Sequence, residues 1–113
     1  MAFEQWDVVV VPFPFANLRT QKRRPALVVS APRDFGDLSG HSVLAMITSA
    51  GHQPWPLDVP ISDLTAAGLP APSLVRMKLF TIDDRLVERR VGSLAAADAT
   101  AVADALRVLL RSG

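Results

Sequence analysis

The chain has 113 residues, half of them apolar and a fifth charged, with a formal net charge of +1 at pH 7. At this length a single domain spanning residues 1–113 around one hydrophobic core is expected, large enough to fold without staples. The absence of cysteine excludes disulfides, iron–sulfur clusters and thiolate zinc sites.

The opening residues, Met1 to Asp7, lack the basic start and small-residue cleavage site of a signal peptide. The longest apolar run is only a strand's length, too short for a transmembrane helix, so a cytoplasmic protein is expected. Charged residues fall below the usual share of about 25%, which fits either a dimer or partner interface or an apolar monomeric surface. The near-neutral balance says little about nucleic acid, because charge distribution matters more than its sum.

The first predicted strand is Val8 to Phe15, β-branched and aromatic but carrying Pro12 and Pro14. Proline cannot donate to a ladder, so this strand is expected at an edge or leaving the sheet at its end. Residues 16–23 are polar and basic and read as a loop. Pro25 to Ser30 reads as the second strand and Ser42 to Ser49 as the third, with Gly36 and Gly40 marking the turn region between them. Residues 50–60 are broken by Gly51, Pro54, Pro56 and Pro60, leaving a short extended piece at Leu57 to Val59. Ser62 to Ala67 suits one helical turn stopped by Gly68. Strands follow at Leu74 to Leu79, Phe80 to Ile82 and around Leu86 to Val91. From Leu94 onward, Ala99, Val102, Ala103, Leu106, Leu109 and Leu110 form one face of an amphipathic helix, with Ser93 as its N-cap and Arg107 and Arg111 near its negative end. Short strands with a closing helix predict a mainly β fold, a small barrel or curled sheet with one packed helix.

The densest charge feature is Arg19, Lys22, Arg23 and Arg24, with no acid among them. It reads either as a polyanion-binding loop or as a solvated basic turn. Pro25 restricts Arg24 to extended backbone, which would hold its planar fork ready for a phosphate. Thr48 and Ser49 close an apolar run; their hydroxyls can donate to a phosphoryl oxygen or satisfy backbone at the strand end. Trp55, between two prolines, is either a plate for stacking a base or a cap on the core. His41 and His52 stand at no metal-ligand spacing and read as surface loop residues, and Asp83-Asp84 reads as a turn. No phosphate-cradling glycine loop, zinc motif or serine-nucleophile elbow is present.

Several of these segments, taken in order, resemble the MazF/PemK toxin family. They are Asp7 to Phe15 (DVVVVPFPF), Arg24 to Ser30 (RPALVVS), Ile47 to Ser49 (ITS), Pro72 to Asp83 (PSLVRMKLFTID) and Val91 to Leu94 (VGSL) with the helix beyond. The resemblance covers nearly the whole chain. It implies an SH3-like β-barrel homodimer that cuts single-stranded RNA, messenger RNA included, at short specific sequences. Neither metal nor other cofactor is implied. The implied chemistry is attack by the ribose 2′-OH, leaving a 2′,3′-cyclic phosphate and a 5′-hydroxyl. A cognate antitoxin with an acidic, partly disordered segment is the implied partner. By motif, catalytic roles fall on Arg24 and Thr48, with Ser49 beside it. Arg76 matches the arginine of an Arg-x-Asp pair that supplies acid and base in one branch. RNA contacts are expected from Arg19, Lys22, Arg23 and Trp55.

Two positions depart from the family pattern. Lys78 stands where the aspartate of the Arg-x-Asp pair would be, which leaves the proton acceptor without a residue. Trp6 replaces a glycine found before the aspartate in many relatives. A CcdB-type toxin that binds DNA gyrase without cleaving, or an inactive relative that binds RNA or an antitoxin, remains as an alternative on the same barrel.

Overall fold

The computed structural model describes residues 3–13 and 22–112. Among these residues, six strands form one sheet: β1 (Asp7–Phe13), β2 (Lys22–Val28), β3 (His41–Ser49), β4 (Val59–Pro60), β5 (Ser73–Asp83) and β6 (Arg89–Ser93). They lie in the order β4-β5-β3-β2-β1-β6, and every pairing is antiparallel. The helices are α1 (Asp37–Ser39), α2 (Leu64–Ala67) and α3 (Ala96–Leu109). A π-helical turn (Pro32–Gly36) leads into α1, and a 3-10 turn (Asp84–Leu86) joins β5 to β6. The fold is the predicted one, a mainly β curled sheet or half-barrel with a C-terminal helix.

Alternation along the strands divides the interior into two clusters. Val8, Leu27, Ala45, Ile47 and Val75 face one way and pack with Leu94, Val102 and Ala105 at and within the helix. Val9, Val11, Ala26, Val28, Leu44, Met46 and Ile82 face the other way, against Phe3, Phe13, Phe80 and Val87. Between β3 and β5 the pairing steps from Ala45↔Leu79 to Met46↔Arg76. A two-residue step preserves side-chain parity, so Lys78 and Arg76 stay on the face of Phe80 and Ile82.

The predicted elements are recovered with informative differences. β1 is not an edge strand, since it lies between β2 and β6. However, β6 pairs only with Asp7 to Val10, so Pro12 lies where β6 does not reach. Lys22 and Arg23 belong to β2 rather than to a loop, drawn in by pairing with Phe13 and Pro12. Pro14, Phe15 and residues 16–21 of the predicted loop, Arg19 included, lie outside the described residues. The two strands predicted over 74–82 are one strand, because β3 pairs along both halves.

Ser93 is not the N-cap of α3. It ends β6, where its hydroxyl donates to the Trp6 carbonyl (3.4 Å), and Ala95 takes the cap position without a side-chain bond. The buried stripe of α3 is Asp98, Val102 and Ala105, while Leu109 and Leu110 are 40% and 68% exposed. Val102 is common to the predicted and the buried stripe, while Ala99, Ala103 and Leu106 lie half-buried beside it, because Asp98 and Ala105 take the buried positions. Asp98 is an unforeseen anchor. Its carboxylate accepts from the Ser62 N–H (3.0 Å), the Ser62 hydroxyl (2.7 Å) and the Asp63 N–H (3.0 Å). Asp63 in turn caps α2 by accepting from the Ala66 N–H (2.9 Å).

Trp6 has φ of 76°, in the left-handed region that favours glycine. Its N–H donates to Val28 O (2.7 Å) and its carbonyl accepts from Leu94 N–H (3.0 Å), which pins the backbone there. The indole packs against the first cluster, so this position takes a backbone suited to glycine while using a large side chain.

Candidate active site

The second face of the sheet does not stay apolar to its end. In β2 the series Val28, Ala26 continues to Arg24, and in β3 the series Leu44, Met46 continues to Thr48. In β5, Ile82 and Phe80 continue to Lys78 and Arg76. Alternation therefore delivers the polar ends of three strands to one place. They meet Phe13 of β1 in a cleft of about 270 Å³, whose wall includes Arg24, Thr48, His52, Trp55, Arg76 and Lys78. A neighbouring cleft of about 350 Å³ shares Arg24, Thr48 and His52 and adds Ser49 and the 69–72 loop.

Arg24 is exposed and pairs with Val11 across β1. On the β3 side the register runs from Val28↔Leu44 to Ala26↔Met46. Pro25, next in line, has no N–H to extend that ladder. Two residues beyond the last pair on each strand stand Arg24 and Thr48, which line the same two clefts.

Arg76 is 9% exposed and tightly held. Its Nε donates to Asp58 Oδ1 (3.2 Å), and its Nη2 donates to Asp58 Oδ2 (3.0 Å) and to the Gln53 carbonyl (2.8 Å). Its guanidinium carbon lies 4.8 Å from the centre of the Trp55 ring. Asp58 also accepts from the Trp55 N–H (2.8 Å). The Arg76 hydrogen bonds hold the Asp58 carboxyl below its ordinary range, against the opposing effect of burial. Leu57, just before it, adopts φ of 67°, a conformation costing an L-residue roughly 1–2 kcal/mol. The 53–58 loop is thus wrapped around Arg76, leaving Nη1 as the guanidinium nitrogen that neither Asp58 nor Gln53 engages. Trp55 is 45% exposed and belongs to neither apolar cluster, its ring lying over the Arg76 guanidinium.

Lys78 Nζ lies 5.3 Å from the centre of the Phe13 ring. The Ser49 hydroxyl accepts from the Gly51 N–H (3.4 Å) in the turn after β3. In the same turn the His52 N–H donates to Ser49 O (3.3 Å), and the His52 ring folds back so that Nδ1 lies 3.1 Å from Thr48 Oγ1. Reading His52 as a surface loop residue captures its exposure but misses this contact. The available signal is its position four residues beyond Thr48 across a Ser-Ala-Gly turn.

Lys22 and Arg23 are exposed on β2 beside Arg24, outside the wall of either cleft, and Arg23 forms an ion pair with Glu88. Arg24, Thr48, Trp55 and Arg76 are thus brought together, Ser49 borders the adjoining cleft, and Arg19 lies outside the described residues. A separate hollow of about 390 Å³ lies between α1 and the end of β5, around His41, Asp83 and Arg85.

No helix among the described residues is long and apolar enough to cross a membrane. Among solved structures, a chain of the MazE–MazF complex from Deinococcus radiodurans is similar with a TM-score of 0.77 at 19% identity, covering 100% of each chain. The Mycobacterium tuberculosis toxin MazF-mt6 gives a TM-score of 0.66 at 24% identity, covering 90% of this chain and 93% of that one. A mycobacterial endoribonuclease in complex with its cognate antitoxin gives 0.73 at 18% identity, covering 96% and 93%. These likenesses describe the fold. No curated protein matches the chain. The family model for the PemK-like, MazF-like toxins of type II toxin–antitoxin systems matches residues 4–110, nearly the whole chain, and the chain belongs to that family.

Proposed function

We propose that this chain is a sequence-specific endoribonuclease toxin that cuts single-stranded RNA without metal, leaving 2′,3′-cyclic phosphate and 5′-hydroxyl ends. The observation that carries this reading is the convergence of Arg24, Thr48 and Arg76 from three strands on one open cleft in a member of this family. Cleavage of this kind develops negative charge on the non-bridging oxygens as the 2′-oxygen adds to phosphorus. Preorganised donors facing that charge lower the barrier. Arg24 offers its fork to the phosphoryl oxygens, Thr48 Oγ1 donates a further hydrogen bond, and Arg76 adds its fixed positive charge and Nη1. Ser49 acts beside them at the strand end. The face of Trp55 away from Arg76 stacks a flanking base, while Arg19, Lys22 and Arg23 guide the backbone towards the cleft.

The chain acts as one toxin domain, as a homodimer in the cytoplasm, neutralised by a cognate antitoxin. Of the structures above, the Deinococcus one is a MazE–MazF complex and the mycobacterial endoribonuclease is in complex with its cognate antitoxin. An acidic antitoxin segment suits the cationic approach through Lys22, Arg23 and Arg24.

The test is incubation of the purified protein with mixed-sequence RNA in EDTA, followed by mapping of the ends. Cutting at a recurrent short sequence with 5′-hydroxyl ends is expected, blocked by one 2′-deoxynucleotide 5′ to the scissile phosphate. Metal-dependent cutting or 5′-phosphate ends would overturn the mechanism. Binding of gyrase with no RNA cleavage would return the CcdB-type alternative.

A further inference from the structure

The groups placed on the phosphate do not account for the proton that must leave the 2′-OH. Arginine ordinarily stays protonated at any relevant pH, threonine is a weak acid, and Lys78 occupies the position of the carboxylate that would have served. One group in the cleft differs in kind. Histidine is the side chain whose ordinary titration range spans neutral pH. His52 borders both clefts that contain Arg24 and Thr48.

We propose that His52 is the proton acceptor of the cleavage reaction, held in place by Thr48; this deepens the endoribonuclease reading and rests on it. The backbone of His52 is held through its N–H to Ser49 O (3.3 Å), and the ring through Nδ1 to Thr48 Oγ1 (3.1 Å). With Nδ1 carrying the proton and donating to Thr48, Nε2 is left with its lone pair as the base. As the O2′–P bond forms and the P–O5′ bond breaks, the 2′-OH proton passes to Nε2. The leaving 5′-oxygen takes a proton from water, and the resulting hydroxide is neutralised by the imidazolium, which restores the neutral ring. The charged groups facing the histidine across the two clefts are Arg24 on β2 and Arg76 and Lys78 on β5, with Asp58 bound to Arg76. Arginine and lysine ordinarily keep their protons at neutral pH, and Asp58 is held ionised by Arg76. Among the described residues that line the two clefts, His52 supplies the imidazole, the side-chain type suited to take up the 2′-OH proton.

The experiment compares wild type, His52→Asn and His52→Ala in single-turnover cleavage in EDTA, on an oligoribonucleotide carrying a site first mapped with wild type. The asparagine amide can still donate to Thr48 but provides no base in place of Nε2. The wild-type rate is expected to fall on the acid side over the range in which imidazole titrates, roughly pH 5 to 8. His52→Asn is expected to lose roughly 10²–10⁴ in rate and that acid limb, while its affinity for a 2′-deoxy-blocked oligonucleotide is unchanged. Added imidazole should restore part of the rate of His52→Ala. Circular dichroism serves as the folding control, and His52 is exposed, so both variants should fold.

A His52→Asn protein with the wild-type rate and pH profile would overturn the assignment. So would a lowered rate with the acid limb intact and no imidazole rescue, which is what mere positioning of Thr48 predicts. A wild type that cuts RNA under these conditions while His52→Asn cuts equally well defeats this inference alone. A wild type that cuts no RNA defeats the endoribonuclease reading and this inference with it.

Discussion

Arg24 and Arg76 converge on one cleft, yet their removal should have different consequences. Arg24 is an exposed arginine at the polar end of a strand, so Arg24→Ala should remain folded and lose roughly 10²–10³ in single-turnover cleavage, the usual cost of losing one preorganised oxyanion donor. Arg24→Lys should recover only part, because an ammonium keeps the charge without the planar fork. Arg23→Ala should chiefly weaken RNA binding and reduce its salt dependence, by less than a free phosphate contact would, since Arg23 is paired with Glu88. Full chemical-step activity in a folded Arg24→Ala protein would remove Arg24 from the mechanism. Arg76 is bound into the fold, with its side chain and that of Asp58 each 10% exposed. Arg76→Ala leaves a mostly buried carboxylate alone and should lower stability by about 3–5 kcal/mol, read by urea denaturation, in addition to lost activity. Replacing Arg76 and Asp58 together by an apolar pair should return much of that stability without returning cleavage.

At the scale of elements, the outcome turns on a few close approaches. α2 ends against β6 with backbone meeting backbone. A Cβ on Gly92 would lie 2.4 Å from the Ala67 carbonyl carbon and 2.5 Å from the Ala66 oxygen. On the other side, Gly68 has φ of 74°, and a Cβ there would lie 2.1 Å from the Val91 oxygen. Gly92→Ala should therefore lower stability by about 3 kcal/mol, measurable as a lower urea midpoint. A neutral effect would mean that α2 can move off β6. α3 is tied to the same region by Asp98, which is 4% exposed. Burial pushes its carboxyl up, but the bonds from Asp63 N–H and from the Ser62 hydroxyl and N–H together outweigh that and hold it below its ordinary value. A group depressed on folding stabilises the protein above its unfolded pKa, about 3.9, and loses that contribution as pH falls through the folded value. Unfolding below about pH 4 should accordingly be less steep in Asp98→Asn than in wild type. The substitution should also cost about 1–3 kcal/mol at neutral pH from weakened bonds to Ser62 and Asp63.

At the scale of the whole molecule, the apolar-rich composition leaves side chains uncovered on the single chain. Leu38, Leu86 and Leu110 are 81%, 54% and 68% exposed. Light scattering at micromolar concentration should give about twice the 12.2 kDa chain mass. An antitoxin encoded next to this chain should bind through an acidic segment, more weakly at higher salt, and should protect RNA from cutting. A monomer that ignores that partner would overturn both expectations.

What was legible in the sequence was local. Continuous apolar runs in Val8 to Val11, Ala26 to Val28 and Val43 to Ile47 reported strands directly, because these strands bury side chains on both faces and so carry no polar alternation. Pro25 and Gly68 announced a restricted arginine and a helix stop, since both act through their own backbone. The same parity that sorts apolar residues between two clusters also sends Arg24, Thr48, Lys78 and Arg76 to one face. What only the tertiary structure decided depends on partners distant in sequence. Lys22 and Arg23 carry no strand pattern and become strand by pairing with β1. Leu74 to Leu79 and Phe80 to Ile82 read as two strands, yet they continue as one because β3 runs along both halves. Arg76 finds Asp58 eighteen residues back, and Asp98 finds Ser62 thirty-six residues back, through folding of the chain rather than any local spacing. His52 was hidden for a subtler reason. Its contact with Thr48 is short in sequence, but it needs the turn after β3 to bend the ring back onto the sheet, and only the packed strand end sets that direction.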